Sequence, residues 1–166
     1  MGRSDAGGSP ANSCFGTLGI NDDTGVTITV TTGGTYYPVK HATTMVAGPA
    51  SKDAALTVSA TNGTISIPAS KLGYYRVTAS GVLLGANSAT VKVAIGLDGA
   101  IIADANGNIA TRSVMAASAV ERPWAMGGIV TCSAACTLGV IVTSGSNSDT
   151  VNFKRFYLSV ELIGTL

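Results

Sequence analysis

The chain has 166 residues, with ten Lys or Arg against nine Asp or Glu and a formal net charge of +1. Gly, Ala, Ser and Thr supply 80 of those residues and charged side chains only 11%, so no basic footprint for nucleic acid is present. No run approaches the roughly 18 apolar residues of a membrane helix, and the length is that of one domain around one core.

The first 25 residues, from Met1-Gly-Arg-Ser-Asp5 onward, are rich in Gly, Ser, Asn and Asp with little periodicity. They read as an arm without a core of its own, ordered by partner chains. The stretch has no apolar segment of signal-peptide type, which points to synthesis and assembly in a cytoplasm. Residues 26–166 read as the single domain.

From Val26 the pattern is that of strands. Val26-Thr-Ile-Thr-Val-Thr-Thr32 alternates apolar and hydroxyl residues at period two, the mark of a half-buried strand. Thr35–His41 is extended, and Pro38 assigns it to an edge. Ala55–Ala60 leads into Asn62-Gly63, a strong hairpin signal, and Thr64–Pro68 returns. Leu72–Leu84 and Ala89–Leu97 follow, with a turn at Asp98-Gly99 and a return through Ala100–Ala103. Ala110–Val120 carries alanines and Met115 but no i, i+3, i+4 apolar stripe, so it does not read as a helix. Trp124–Cys132, Thr137–Thr143 and Phe153–Ile163 complete the set. About eight to ten short strands with turns every 8–12 residues make an all-β antiparallel sandwich or barrel.

Residues with the chemistry of catalysis are scarce. One His and two Glu, at 121 and 161, offer little for acid–base work, and His41 has no nucleophile elbow beside it. Asp104-Ala-Asn-Gly-Asn108 has Ile and Met where a calcium loop needs Gly and Glu, so it is a turn. Asn62-Gly-Thr64 is explained by its hairpin. Three cysteines do not make a disulfide framework. Cys132 and Cys136 lie four apart and are expected to face each other across a short hairpin, bonded or not. A zinc site would need four ligands, and no metal or cofactor is expected.

From Ile65 to Leu166 the chain resembles the C1q and tumour-necrosis-factor-like jelly rolls, including those of bacteriophage structural proteins. The carrying residues are Ile65-Ser-Ile-Pro68, Gly73-Tyr-Tyr-Arg-Val-Thr-Ala79, Val91–Gly99 and Phe156–Ile163. The resemblance implies a jelly-roll sandwich that assembles as a threefold trimer. It also implies that Tyr75 and Tyr157, on the matching strands, line the threefold axis, with Phe153 and Tyr37 as further trimer-interface candidates.

The resulting expectation is a non-enzymatic virion protein on the capsid surface of a tailed phage. As a homotrimer it would decorate or cement the head, its arm contacting the major capsid protein through Arg3, Asp5 and Phe15. The low-charge, small-residue surface fits wide contacts with neighbours. The rival is a receptor-binding fibre tip that holds a bacterial surface glycan with loops such as Asn87-Ser88 or Ser144–Asp149. A secreted C1q-like ligand is a third reading.

Overall fold

The computed structural model describes residues 14–20, 23–41, 45–50, 56–85, 90–102, 112–116 and 120–166; at Pro49, Ala50 and 112–116 it describes the backbone. The strands run β1 Phe15–Gly19, β2 Val26–Val30, β3 Tyr37–Pro38, β4 Val46–Ala50, β5 Thr57–Ser59 and β6 Thr64–Ile67. After a single 3-10 turn at Ala69–Lys71 come β7 Gly73–Gly85, β8 Thr90–Leu97, β9 Ala100–Ile101 and β10 Arg112–Ala116. The last three are β11 Arg122–Cys132, β12 Cys136–Ser144 and β13 Asp149–Thr165.

They form two antiparallel sheets. The first, here the β7 sheet, has the order β11-β7-β13-β1-β4, with β2 also paired to β13. The second, the β8 sheet, has the order β10-β8-β12-β6-β5, with β3 on β12 and β9 on β8. Sequence neighbours seldom pair, so most of the fold is non-local. The expected two-layer sandwich is therefore present, with more strands than expected because β1, β4 and β10 fall where none was read.

Alternation explains the core. In β7, Tyr75, Val77, Ala79 and Leu83 point inward, and in β12 Leu138, Val140 and Val142 meet them from the other sheet. Trp124 stacks on Phe156 at 6.0 Å between ring centroids and meets Phe153 edge-on at 5.9 Å. Such aromatic pairs add about 0.5–1.5 kcal/mol beyond their area burial.

The turns follow their residues. Asp98 and Gly99 both have positive φ, +51° and +79°, the two-residue hairpin that Asp-Gly favours. Gly63 has φ +67°, and a Cβ there would collide with the Val39 carbonyl oxygen. Only glycine fits that turn.

Three expectations need correction. Residues 14–20 are not part of a coreless arm: β1 lies between β13 and β4, with Leu18 fully buried. Its glycines suggested a linker, yet they permit close packing. A Cβ at Gly19 would come within 2.7 Å of the Phe156 carbonyl oxygen. Second, Val46–Ala50 is a strand that Gly48-Pro49 concealed. Third, Cys132 and Cys136 do not flank a hairpin. They sit on different sheets, because residues 133–135 carry the chain from one to the other.

Candidate interaction face

The outward residues of the β7 sheet are fixed by register. One row runs Ile129, Arg76, Glu161, Phe15; the next Gly127, Thr78, Ser159, Thr17; the next Ala125, Ser80, Tyr157, Gly19, Val46. Tyr74 stands beyond the first row, opposite Thr131 and Gly164. Small residues keep the middle of this face low.

Large apolar groups rise from that floor. Among the described residues, the exposed large hydrophobics are Val46, Tyr74, Val120, Ile129, Tyr157, Ile163 and Leu166. Every one lies on a strand of the β7 sheet or immediately beside its ends. Ile129 is 61% exposed and Tyr157 48%. A charge pair sits among them, Arg76 Nη1 to Glu161 Oε2 at 3.4 Å. Arg155, six residues before Glu161 on the same strand, takes no part in this pair. Arg155 instead holds Asp23 with Nε and Nη2 at 3.1 and 2.6 Å, which raises its already high pKa.

The four trimer-interface candidates separate. Tyr157 projects from this face, as expected. Tyr75 does not: it is fully buried, and its hydroxyl donates to the Lys71 carbonyl oxygen at 2.5 Å. Burial first, and the nearby Cys14, Cys132 and Cys136 after it, push its phenol well above the ordinary range. Tyr74 takes the outward place, in phase with Arg76, Thr78 and Ser80. That phase was available in the sequence and marks Tyr74 as the surface residue.

Phe153 is also fully buried, for a different reason. The β13 register slips between Lys154 and Tyr157, and Arg155 there adopts a left-handed φ of +48°. This bulge sets Arg155 and Phe156 against the single residue Gly81, so Phe153 and Phe156 both point inward. Tyr37 belongs to the other sheet, through its pairing with Val142. Its oxygen shares a 2.6 Å hydrogen bond with Thr31 Oγ1 and accepts one from the Thr32 amide at 3.1 Å. These bonds, Thr31 first, lower its phenol pKa.

Phe15 is half-buried on the β7 face, opposite Glu161. Arg3, Asp5, the Asp104–Asn108 turn and Asn87-Ser88 lie outside the described residues. Ala110–Val120 falls there in part; its described backbone, Arg112–Ala116, is strand. In the 144–149 loop the polar groups hold one another. Ser144 Oγ bonds Asp149 Oδ2, and Asn147 Oδ1 accepts from the Gly33 amide at 2.7 Å. Among the described residues no group of three His, Cys, Asp or Glu is placed to hold a metal ion.

No protein-family model and no curated protein matches the sequence. Among solved structures the chain is similar to "Structure of Eiger TNF from S. frugiperda", with TM-score 0.54 and 10% sequence identity. The likeness covers 93% of this chain and 94% of that one. At this identity the likeness is one of fold, and with the two antiparallel sheets it makes the molecule a tumour-necrosis-factor-like jelly roll.

Proposed function

We propose that the chain is a non-enzymatic structural module that works as a homotrimer through the outer face of the β7 sheet. The observation that carries the reading is the confinement, among the described residues, of exposed large apolar side chains to that sheet and its ends. Covering Tyr74, Ile129, Tyr157 and Ile163 is worth on the order of 1.5–3 kcal/mol each before the costs of association. Small hydroxyl and alanine side chains between them lose little rotamer entropy when ordered.

In its specific form, the trimer decorates or cements the head of a tailed phage, with the major capsid protein as its partner. Nearly cancelled charge and a surface of small residues support a part made to be covered by copies and neighbours. The internal hydrogen bonding of the 144–149 loop weighs against the glycan-binding fibre tip.

Sedimentation of the purified chain tests the assembly, with a trimer expected. A stable monomer at micromolar concentration overturns it. Copy number in purified particles tests the placement: many copies support decoration, and a handful per particle indicates a fibre tip.

A further inference from the structure

We propose that Asn62 is a modification site, converted to isoaspartate by attack of the Gly63 main-chain nitrogen, and that the closed β5–β6 hairpin holds the reaction back. Ser59 and Thr64 pair across the turn, and the Gly63 amide donates to the Ala60 carbonyl oxygen at 3.2 Å. Neither Thr61 nor Asn62 has positive φ, whereas Gly63 does, at +67°. That combination is a type I turn followed by a left-handed glycine. The Asn62 main-chain amide donates to Ser59 Oγ at 3.3 Å. Its side chain is exposed and hydrogen-bonds none of the described residues.

In the first step hydroxide takes the proton from the Gly63 nitrogen, which bonds to Asn62 Cγ. The bond from Cγ to Nδ2 breaks, and that nitrogen takes a proton from water and leaves as ammonia, which regenerates the hydroxide. Glycine as the following residue leaves its nitrogen unshielded by a side chain. Water then opens the five-membered imide. Opening at the main-chain carbonyl gives isoaspartate, with the chain running through the former side chain, and opening at Cγ gives aspartate. One water is consumed and one ammonia released, with no change of oxidation state.

The folded turn opposes ring closure. The attacking N–H is already donated to Ala60. Closure also needs Cβ and the Gly63 nitrogen on the same side of the Cα–C bond, and a ψ of about 0° at this turn position keeps them apart. Gly63 cannot shift to help: it is buried, a Cβ on it would collide with the Val39 carbonyl oxygen, and its own carbonyl oxygen lies 2.9 Å from where a Gly139 Cβ would stand. The reaction therefore waits for the hairpin to open. β5 is a three-residue edge strand paired with β6 alone, an element of the kind that opens below global unfolding. The Asp98-Gly99 hairpin differs, because Asp98 Oδ1 accepts from the Thr137 amide and hydroxyl at 2.7 and 3.0 Å. Its carboxylate is thereby fastened away from Gly99.

The test is peptide mapping by mass of the full chain after incubation in mildly alkaline buffer, folded in one arm and in guanidinium in the other. Asn106-Gly107, outside the described residues, is followed on its own peptide. In guanidinium the Asn62 peptide is expected to give two products with the mass of an amide turned to a carboxylate. Isoaspartate is the larger, recognised by its resistance to a protease that cuts before aspartate. The folded chain is expected to convert at Asn62 roughly tenfold more slowly or less. Val58, half-buried against the core and opposite Ile65, helps to hold β5 down. Val58→Ala is expected to speed conversion in the folded arm and leave the guanidinium arm unchanged. Equal rates in the two arms, an Asn62 that survives guanidinium, aspartate in excess, or a Val58→Ala chain with the parental folded rate overturns the proposal.

Discussion

The β7 sheet turns Tyr74, Ile129, Tyr157 and Ile163 outward, whereas the β8 sheet turns out Thr57, Ser66 and Thr137 and, among the described residues, no exposed large hydrophobic. Both sheets bury the same kind of inner residue, so the core does not explain the contrast. Even Ile141 and Ala94, which leave the core side of the β8 sheet, are buried within the chain. Exposed apolar groups of this kind gain free energy when a neighbour covers them. Under the proposed assembly the two surfaces of the sandwich have different partners, water for the β8 sheet and a second copy for the β7 sheet.

The most severe way to break that contrast is insertion of one Ala between Phe153 and Lys154. With the bulge at Arg155 kept, alternation from Phe156 then sends Phe153 and Val151 to the outer face of β13. Two fully buried side chains would leave the core, and the insertion is expected to yield no cooperatively folded protein by circular dichroism. Next come Phe153→Ala and Tyr75→Ala. Each is expected to cost about 3–5 kcal/mol in urea unfolding, while Tyr157→Ala leaves the stability of the isolated fold within about 0.5 kcal/mol. Equal losses at Tyr75 and Tyr157 would erase the distinction between inner and outer aromatics.

These same residues show how much the sequence displays. Period-two patterns locate β2, β7, β8 and the C-terminal half of β13, and Asp98-Gly99 and Asn62-Gly63 mark their turns. The pairing order is another matter: β1 beside β13 joins residues some 140 positions apart, and no local pattern encodes such a contact. The interface candidates failed in two ways. Tyr74 was legible, since strand parity ties it to Arg76, Thr78 and Ser80. Phe153 was not, because a bulge reverses parity without a sequence sign when Arg rather than Gly takes the left-handed position. A left-handed Arg costs roughly 1–2 kcal/mol, a strain that two buried phenylalanines offset.

A charge placed on each outer face sharpens the comparison further. Ile129→Asp is expected to reduce self-association by at least tenfold, read by sedimentation equilibrium, because it sets a desolvated carboxylate against a neighbour. Thr57→Asp on the β8 sheet is expected to leave association unchanged. A smaller effect joins the two layers at Cys132, whose thiol burial pushes up to about 12, with the Cys136 hydrogen bond adding to it. The folded thiol holds its proton above the ordinary value of 9.0, so this contribution is complete below pH 9. It is lost as pH rises towards 12, because the unfolded chain ionises first. Under reducing conditions the urea midpoint should fall over that window, where Tyr75 and Cys136 are also held protonated by burial, and Cys132→Ala should lessen the fall without abolishing it.

The smallest expected effect concerns the ion pair within the apolar face. Arg76 and Glu161 are 61% and 46% exposed at 3.4 Å, so solvent screens them and the pair adds no more than about 0.5 kcal/mol to the monomer. Covered by another copy, the same pair would lose its water, and removing one partner would strand the other charge. Glu161→Gln should therefore leave monomer unfolding unchanged and weaken association, whereas replacing both residues by Gln should restore part of it. A double variant that associates no better than Glu161→Gln alone would place the pair outside the contact and confine the apolar interface to the rows on either side.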